Sequence, residues 1–475
     1  MPAVQLSARG VPEPIRAGLD DLHARLEVPD GFPLDVAAEA RAAASRGDLP
    51  ERDLTDVAFV TIDPPGSTDL DQALYIERDG EGYRVHYAIA DVARFVMPGG
   101  AIDREVHERG LTLYAPNART PLHPPELSEG AASLLPGQLR PALVWEHRLD
   151  ARGEALSSTV APARVRSREQ LTYAGVQEAL DGGTASEVLQ LLAEVGRLRE
   201  LLEAERGGVS LQIPEQEVHV VGDHWELDFR ATLPVEGWNA QISLLTGMAA
   251  AQIMLEGGIG ILRTLPPARQ YGIDKLRRVA KGLKIRWPGA VGYPEFVRSL
   301  DPAQPTHLAM LYACTTLFRG AGYVAFDDGE TPEQPLHGAM NAAYAHATAP
   351  LRRLVDRYVG EICVALCAGE PVPDWVRAEL EGLPKTMQRA TQRSNAYERG
   401  LLDLVEALVL APHVGESFEG VITEWDAEDD RGEIQLTDPA VAARVTGSAA
   451  DLGAEVVAEL VEADVETGKV SFRVR

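Results

Sequence analysis

A chain of 475 residues that is 45% apolar is long enough for two to four domains and can bury a large core without staples. Its three cysteines, Cys314, Cys363 and Cys367, form no CxxC pair; this excludes a disulfide framework and a structural zinc site, and fits a reducing cytoplasm. A net charge of −27 excludes a protein that coats nucleic acid with its whole surface, although a local basic groove survives because salt screens charges beyond ~8–10 Å.

From the start of the chain, Met1 to Asp20 alternates apolar with charged residues and lacks the apolar run of a secretory signal, so export is not expected. Two short helices are predicted at Pro14–Leu26 and Asp35–Ser45, separated by Pro29, Gly31 and Pro33. A small helix-turn-helix-like domain over residues 1–52 and a helical arm packed on the next domain both remain open, because no recognition helix rich in Arg or Lys stands out. From Val57 the texture turns to β, with strands expected at Val57–Ile62, Leu74–Ile76 and Tyr83–Ile89 and a turn at Asp79–Gly82 between the last two.

After Arg168 helical periodicity takes over at Glu187–Glu205, Trp238–Leu255, Thr306–Arg319, Leu351–Cys367 and Lys385–Leu408, which makes residues 53–411 a mixed α+β domain. The most apolar stretch, Ile242–Leu255, is too short to span a bilayer and is interrupted by Thr246 and Gln252. From Pro412 the runs Ser417–Trp425, Glu433–Leu436, Glu455–Val461 and Lys469–Val474 predict a small five-stranded OB-type barrel over 412–475. The fold class is therefore α+β and multidomain.

The sharpest chemical signal is Thr61-Ile62-Asp63-Pro64-Pro65-Gly66-Ser67-Thr68-Asp69-Leu70-Asp71-Gln72-Ala73, which packs three aspartates into nine residues between two strands. Carboxylates crowded in this way repel one another unless divalent cations sit among them, and hard oxygen ligands suit Mg²⁺ or Mn²⁺. Two such ions ~3.5–4 Å apart would activate a water and stabilise the leaving oxygen of a phosphodiester displacement. The bland alternative is a turn capped by Asp63 and a loop solvated by Asp69 and Asp71. Spacing alone also does not separate a nuclease from a phosphatase.

That segment resembles the signature of the RNB domain of the ribonuclease II/R family. Three further blocks come after it in the family's order and spacing. They are Ala88-Ile89-Ala90-Asp91-Val92; then Arg109-Gly110-Leu111-Thr112-Leu113-Tyr114 with Leu122-His123-Pro124-Pro125-Glu126-Leu127-Ser128; and Tyr344-Ala345-His346-Ala347-Thr348-Ala349-Pro350-Leu351-Arg352-Arg353-Leu354-Val355-Asp356. The resemblance implies a cytoplasmic 3′-to-5′ exoribonuclease that hydrolyses single-stranded RNA to nucleoside 5′-monophosphates by metal-activated water.

By the same resemblance Asp63, Asp69 and Asp71 match metal-binding aspartates, for Mg²⁺ with Mn²⁺ as the alternative, and Asp71 is the one whose loss disables chemistry most completely. Gln72 departs from the pattern, since the family usually has another aspartate there. Arg352 matches the phosphate-contacting arginine, a role that suits a planar guanidinium; Arg353 and Arg109 are expected beside the substrate. Tyr114 and Tyr173 match aromatic positions that stack on bases near the 3′ end, and Gln241 falls where the family commonly places a Glu beside the substrate.

Eight basic residues against one acid between Arg263 and Arg286 could line an RNA entrance or simply form a solvated helix. The predicted barrel, with fifteen acidic and five basic residues from Gly415 to Arg475, is a poor match for a cationic single-strand-binding groove. No small organic cofactor and no membrane are expected, and a monomer is the default in the absence of heptads. A competing reading is an RNB-like RNA-binding regulator that has lost its chemistry, motivated by Gln72 and the acidic barrel. A third is a metal-dependent phosphatase on small substrates.

Overall fold

The β texture near Val57 resolves into one mixed sheet. Its strands are β1 (Val60–Asp63), β2 (Gln72–Asp79), β3 (Gly82–Ala90), β4 (Leu139–Leu149), β5 (Ala155–Arg166) and β6 (Glu169–Thr172). They lie in the order β5-β4-β3-β2-β1-β6 and are antiparallel except for the β1–β6 pair. This computed structural model describes residues 5–6, 13–114, 119–211, 213–221, 224–426, 428–436, 439, 441–447 and 453–474.

Central strand β3 is buried almost throughout, as expected of a strand covered on both faces. The predicted turn joins β2 to β3, and Gly82 is needed after it because a Cβ there would lie 2.0 Å from the Leu149 carbonyl oxygen. Val57 falls outside β1, which instead runs one residue further, to Asp63. The long β4–β5 hairpin was not legible in the sequence: Arg140, Glu146 and Arg148 break its apolar pattern, and Pro162 is tolerated because β5 is an edge strand.

Helices α1 (Glu13–Arg25) and α2 (Leu34–Ser45) do not form a unit of their own. Val36, Ala40 and Ala43 of α2 join the main core, whereas Leu19 and Leu22 of α1 pack with Tyr397, Leu401 and Leu404 near the far end of the body. Both described helices thus pack against the body that follows them. Next come α3 (Ala101–Arg109), α4 (Tyr173–Asp181), α5 (Glu187–Glu205) and α6 (Pro234–Gly257).

Because α6 is apolar on most sides, it is buried as the spine of the body through Val235, Trp238, Ile242, Leu245, Ala251 and Met254. A helical lobe succeeds it, made of α7 (Gln270–Gly282) and the shorter helices Tyr293–Arg298 and Pro305–Cys314 around Leu276, Phe296 and Met310. The helix expected over Thr306–Arg319 tightens into a 3₁₀ turn at Thr315.

Then come α8 (Leu354–Ala368) and α9 (Leu383–Leu410). The helix expected from Leu351 begins three residues later, because Asp356 accepts the Ala349 N–H at 2.7 Å and holds residues 349–353 as a turn outside it.

Strands β7 (Ser417–Asp426), β8 (Arg431–Leu436), β9 (Ala442–Thr446), β10 (Glu455–Asp464) and β11 (Lys469–Val474) close the expected five-stranded barrel in the order β7-β8-β9-β11-β10. Ala407 and Leu410 of α9 enter its core beside Ile422, Ile434, Leu460 and Phe472. Among the described residues no helix is long and apolar enough to cross a membrane.

Candidate active site

Strand pairing sets the site. Asp63 ends β1 directly beside Thr172, the last residue of β6, so Asp63 and Tyr173 at the start of α4 emerge at the same end of the sheet. The loop from Pro64 to Asp71 is tied down at several points. Ser67 Oγ donates to Pro64 O at 2.9 Å and Gln170 Nε2 to Ser67 O at 2.8 Å. Ser133 Oγ accepts the Leu70 N–H at 2.9 Å and donates to Thr68 O at 2.7 Å. Leu70 is fully buried and Asp71 is buried with it, whereas Asp69 is partly exposed.

Asp71 is 4% exposed; its Oδ1 accepts the Leu351 N–H at 2.8 Å, and its Oδ2 lies 3.4 Å from Arg352 Nε. Burial pushes its carboxyl up to about 8 despite the opposing pull of Arg352 and of the Leu351 N–H. Asp63 is pushed up to about 6, first by burial and then by the charge of Asp69, and its buried Oδ2 has no protein partner. Two carboxyls that resist ionisation in the bare protein, one with an orphaned oxygen, are what a cation would relieve.

Among the described residues no three His, Cys, Asp or Glu side chains form a ready-made metal cage. Hard carboxylate oxygens from Asp63 and Asp71 nevertheless fit Mg²⁺ or Mn²⁺, which commonly take one or two carboxylates and complete their shell with water and phosphate.

The other two positions of the cluster are engaged. Asp69 Oδ1 is bonded to Arg119 Nη1, and Arg119 Nη2 reaches Glu129 Oε1 at 2.7 Å. The Gln72 amide donates to Thr348 O at 2.5 Å, tying β2 to the turn before α8. That turn carries Arg352, whose side chain is 47% exposed beside the buried Asp71.

Its backbone is gripped from the side. Thr112 N–H donates to Arg352 O at 3.0 Å, and His123 Nδ1 lies 3.1 Å from Leu351 O. Burial lowers the His123 imidazole to about 4, so it is neutral, with its proton on Nδ1 facing the carbonyl. One peptide thus receives His123 on its C=O, while the preceding N–H of Leu351 binds Asp71.

Two aromatics flank the carboxylates. Tyr114, 42% exposed, stands in a short strand pair opposite Arg119, within electrostatic reach of Arg352, Asp69 and Asp71. Tyr173 receives Asn239 Nδ2 on its hydroxyl at 3.2 Å; burial and then Asp63 push that hydroxyl up to about 12. One turn along α6, Ser243 bonds the Tyr87 hydroxyl at 2.8 Å, and Gly247 admits the Tyr344 ring, which a Cβ would meet at 2.2 Å.

Comparison with known proteins gives the same frame. The model of the RNB domain matches residues 51–368, and that of the RNase II-type exonuclease C-terminal S1 domain matches residues 416–475. The chain belongs to the RNB-domain family. An uncharacterised ribonuclease of Synechocystis is 26% identical over 415 residues, covering 86% of this chain and 57% of that protein. The structure of Mycoplasma genitalium RNase R in complex with ribose-methylated single-stranded RNA superposes with a TM-score of 0.86 at 20% identity, covering 98% of this chain and 79% of the other. Yeast Ssd1, a pseudonuclease, superposes with a TM-score of 0.71 at 15% identity, covering 94% and 58%. The chain spans about half the length of the curated relatives it matches, 57% and 54% for two of them.

Within the RNB domain, three of the expected substrate contacts lie elsewhere. Arg109 is 2% exposed, stacked 3.9 Å over Phe32 and bonded to Glu105 and to the Gly31 and Pro121 carbonyls. Arg353 closes a two-pronged pair on Asp356, at 2.5 and 2.9 Å. Gln241 is buried and donates to Glu203 of α5, because two residues of helix rotate it to the face opposite Asn239.

In the RNB basic run, Arg277 stacks on Trp287 and Arg263 on Tyr323, whereas Arg269, Lys275, Arg278, Lys281, Lys284 and Arg286 are exposed. Sequence reasoning missed Arg119, His123 and Asn239. Asn239 sits one helical turn from Ser243 and was the only one of the three with a readable periodicity.

Proposed function

We propose that this chain is a metal-dependent exoribonuclease that takes single-stranded RNA by its 3′ end and releases nucleoside 5′-monophosphates. The observation that carries the reading is a pair of buried carboxyls, Asp63 and Asp71, both within electrostatic reach of the half-exposed guanidinium of Arg352, which lies 3.4 Å from Asp71. A divalent cation bound by these carboxylates would lower the pKa of a water and neutralise phosphate charge.

Arg352 grips the scissile phosphate and meets the charge that develops on it. Tyr114 and Tyr173 stack on the terminal bases whatever their identity, and the pinned 64–71 loop fixes where Asp69 and Asp71 stand. RNase R bound to single-stranded RNA, in a protein of the same fold, supports RNA as the substrate class.

The regulator reading draws on Gln72 and on the pseudonuclease Ssd1. A fold shared by an RNase R and a pseudonuclease does not choose between them, so side chains must. Asp63, Asp71 and Arg352 are all present, with Arg352 in electrostatic reach of both carboxyls, which favours chemistry. The test is a 5′-labelled single-stranded RNA incubated with Mg²⁺, Mn²⁺ or chelator. Stepwise shortening from the 3′ end that needs metal supports the nuclease; binding without cleavage in every metal supports the regulator.

The site also sets two mutational outcomes. Tyr114→Ala and Tyr173→Ala should each weaken binding of a short RNA by ~1–3 kcal/mol, the worth of one stacked base, as read by fluorescence anisotropy in chelator, with Phe largely restoring it. His123→Leu should lower kcat by about 10–100-fold with little change in KM, because it frees the peptide that orients Asp71 and Arg352. His123→Asn, whose side-chain N–H can replace Nδ1–H, should recover most of the rate.

A further inference from the structure

Resting on the metal-dependent reading above, we infer that this RNB site holds a single divalent cation, with the guanidinium of Arg119 standing where a second would have its ligands. Arg119 is placed by strand pairing, opposite Tyr114, with its side chain 25% exposed. Nη1 takes Asp69 Oδ1, while Nη2 takes both Glu129 Oε1 and the Thr68 hydroxyl. Thr68 Oγ1 in turn donates to Glu129 Oε2 at 3.2 Å. This is a planar fork spanning two carboxylates, and unlike a metal it cannot exchange.

The Gln72 amide closes the other route. Its N–H faces the Thr348 carbonyl, where an aspartate would have no proton to donate, so this position serves the β2–turn tie rather than a cation. Asp63 Oδ2 has no protein partner and Asp71 Oδ2 meets only the 3.4 Å contact to Arg352, so these two oxygens can turn to one cation. Formal charge reaches the same result: once a bound cation has drawn the protons from Asp63 and Asp71, these two with Asp69 and Glu129 number four carboxylates against the guanidinium groups of Arg119 and Arg352, and one dication brings the set to neutrality. A second dication would have to displace a fixed guanidinium against its own repulsion.

The test is titration of the chelator-treated full chain with Mn²⁺ alone, counting bound ions by the loss of the free-ion electron paramagnetic resonance signal. One ion per chain is expected for the wild type and for Arg119→Lys. A second is expected for the double variant Arg119→Ala/Gln72→Asp, with thermal melting to establish that it is folded. Two ions in the wild type, or one in the folded double variant, would overturn the inference while leaving the nuclease reading intact. No bound ion in the wild type would overturn both, and one bound ion without RNA shortening would strike the nuclease reading alone.

Discussion

Asp71→Asn should yield a protein that still binds single-stranded RNA, no longer shortens it and, in metal-free buffer at neutral pH, melts at a higher temperature than the wild type. The loss of chemistry follows from geometry. Asp71 is buried at the meeting point of the Leu351 N–H and Arg352, and its Oδ2 has only the 3.4 Å contact to Arg352 to give up for a cation. Removing that ligand removes several kcal/mol of transition-state stabilisation, about 10³-fold or more in kcat.

The gain in stability follows from linkage. The Asp71 carboxyl sits at about 8 in the fold against an ordinary 3.8, so between those values the folded state holds a proton that the unfolded chain has lost. Wild-type stability in chelator must therefore fall as pH rises from about 4 to 8, and the uncharged amide escapes that fall. Added Mg²⁺ should reverse the order by stabilising the wild type more than the variant, through mass action on the native state. Melting curves at two pH values, with metal and with chelator, check both signs; a variant that melts below the wild type in chelator would mean that Asp71 is ionised and satisfied by Arg352 alone.

What the sequence revealed depended on how local each cause was. The aspartate cluster was legible because Pro64, Pro65 and the strands on either side lie in one continuous stretch, and helix α5 was placed at its true ends by its own periodicity. The β4–β5 hairpin was not, because its side chains answer to helices stacked on the sheet rather than to an alternation of their own.

At the site the same rule separates Tyr114, which lies within the Arg109–Tyr114 motif, from Gln241, where a shift of two residues along a helix reverses the face and only the fold identifies Asn239 as the partner of Tyr173. Arg109 looked like a ligand contact because it opens a motif, yet a fully buried guanidinium with two backbone carbonyls and one carboxylate is a tether for the 109–122 segment. Arg119 carried no signal at all: its meaning lies in a strand pair and a carboxylate fifty residues upstream.

The two adjacent arginines give the sharpest contrast. Arg352→Ala should leave the melting temperature close to that of the wild type, since its side chain is half exposed and its 3.4 Å contact to Asp71 is a weak tie. The same substitution should lower kcat by about 10²–10³-fold, the usual cost of one lost donor to developing oxyanion charge. Arg352→Lys should recover only part of that rate, because an ammonium supplies the charge without the planar fork.

Arg353→Ala should do the opposite. Its guanidinium is bonded through two nitrogens to Asp356, which has no solvent exposure of its side chain and which also holds the Ala349 N–H. Deleting the arginine leaves a buried charge uncompensated and should cost ~3–5 kcal/mol of stability. Any fall in activity should then track loss of folded protein rather than a change in the chemical step. Single-turnover cleavage of labelled RNA beside thermal melts of the three variants separates these outcomes. A strongly destabilised Arg352→Ala or a fully stable Arg353→Ala would reverse the assignment of which arginine faces the phosphate.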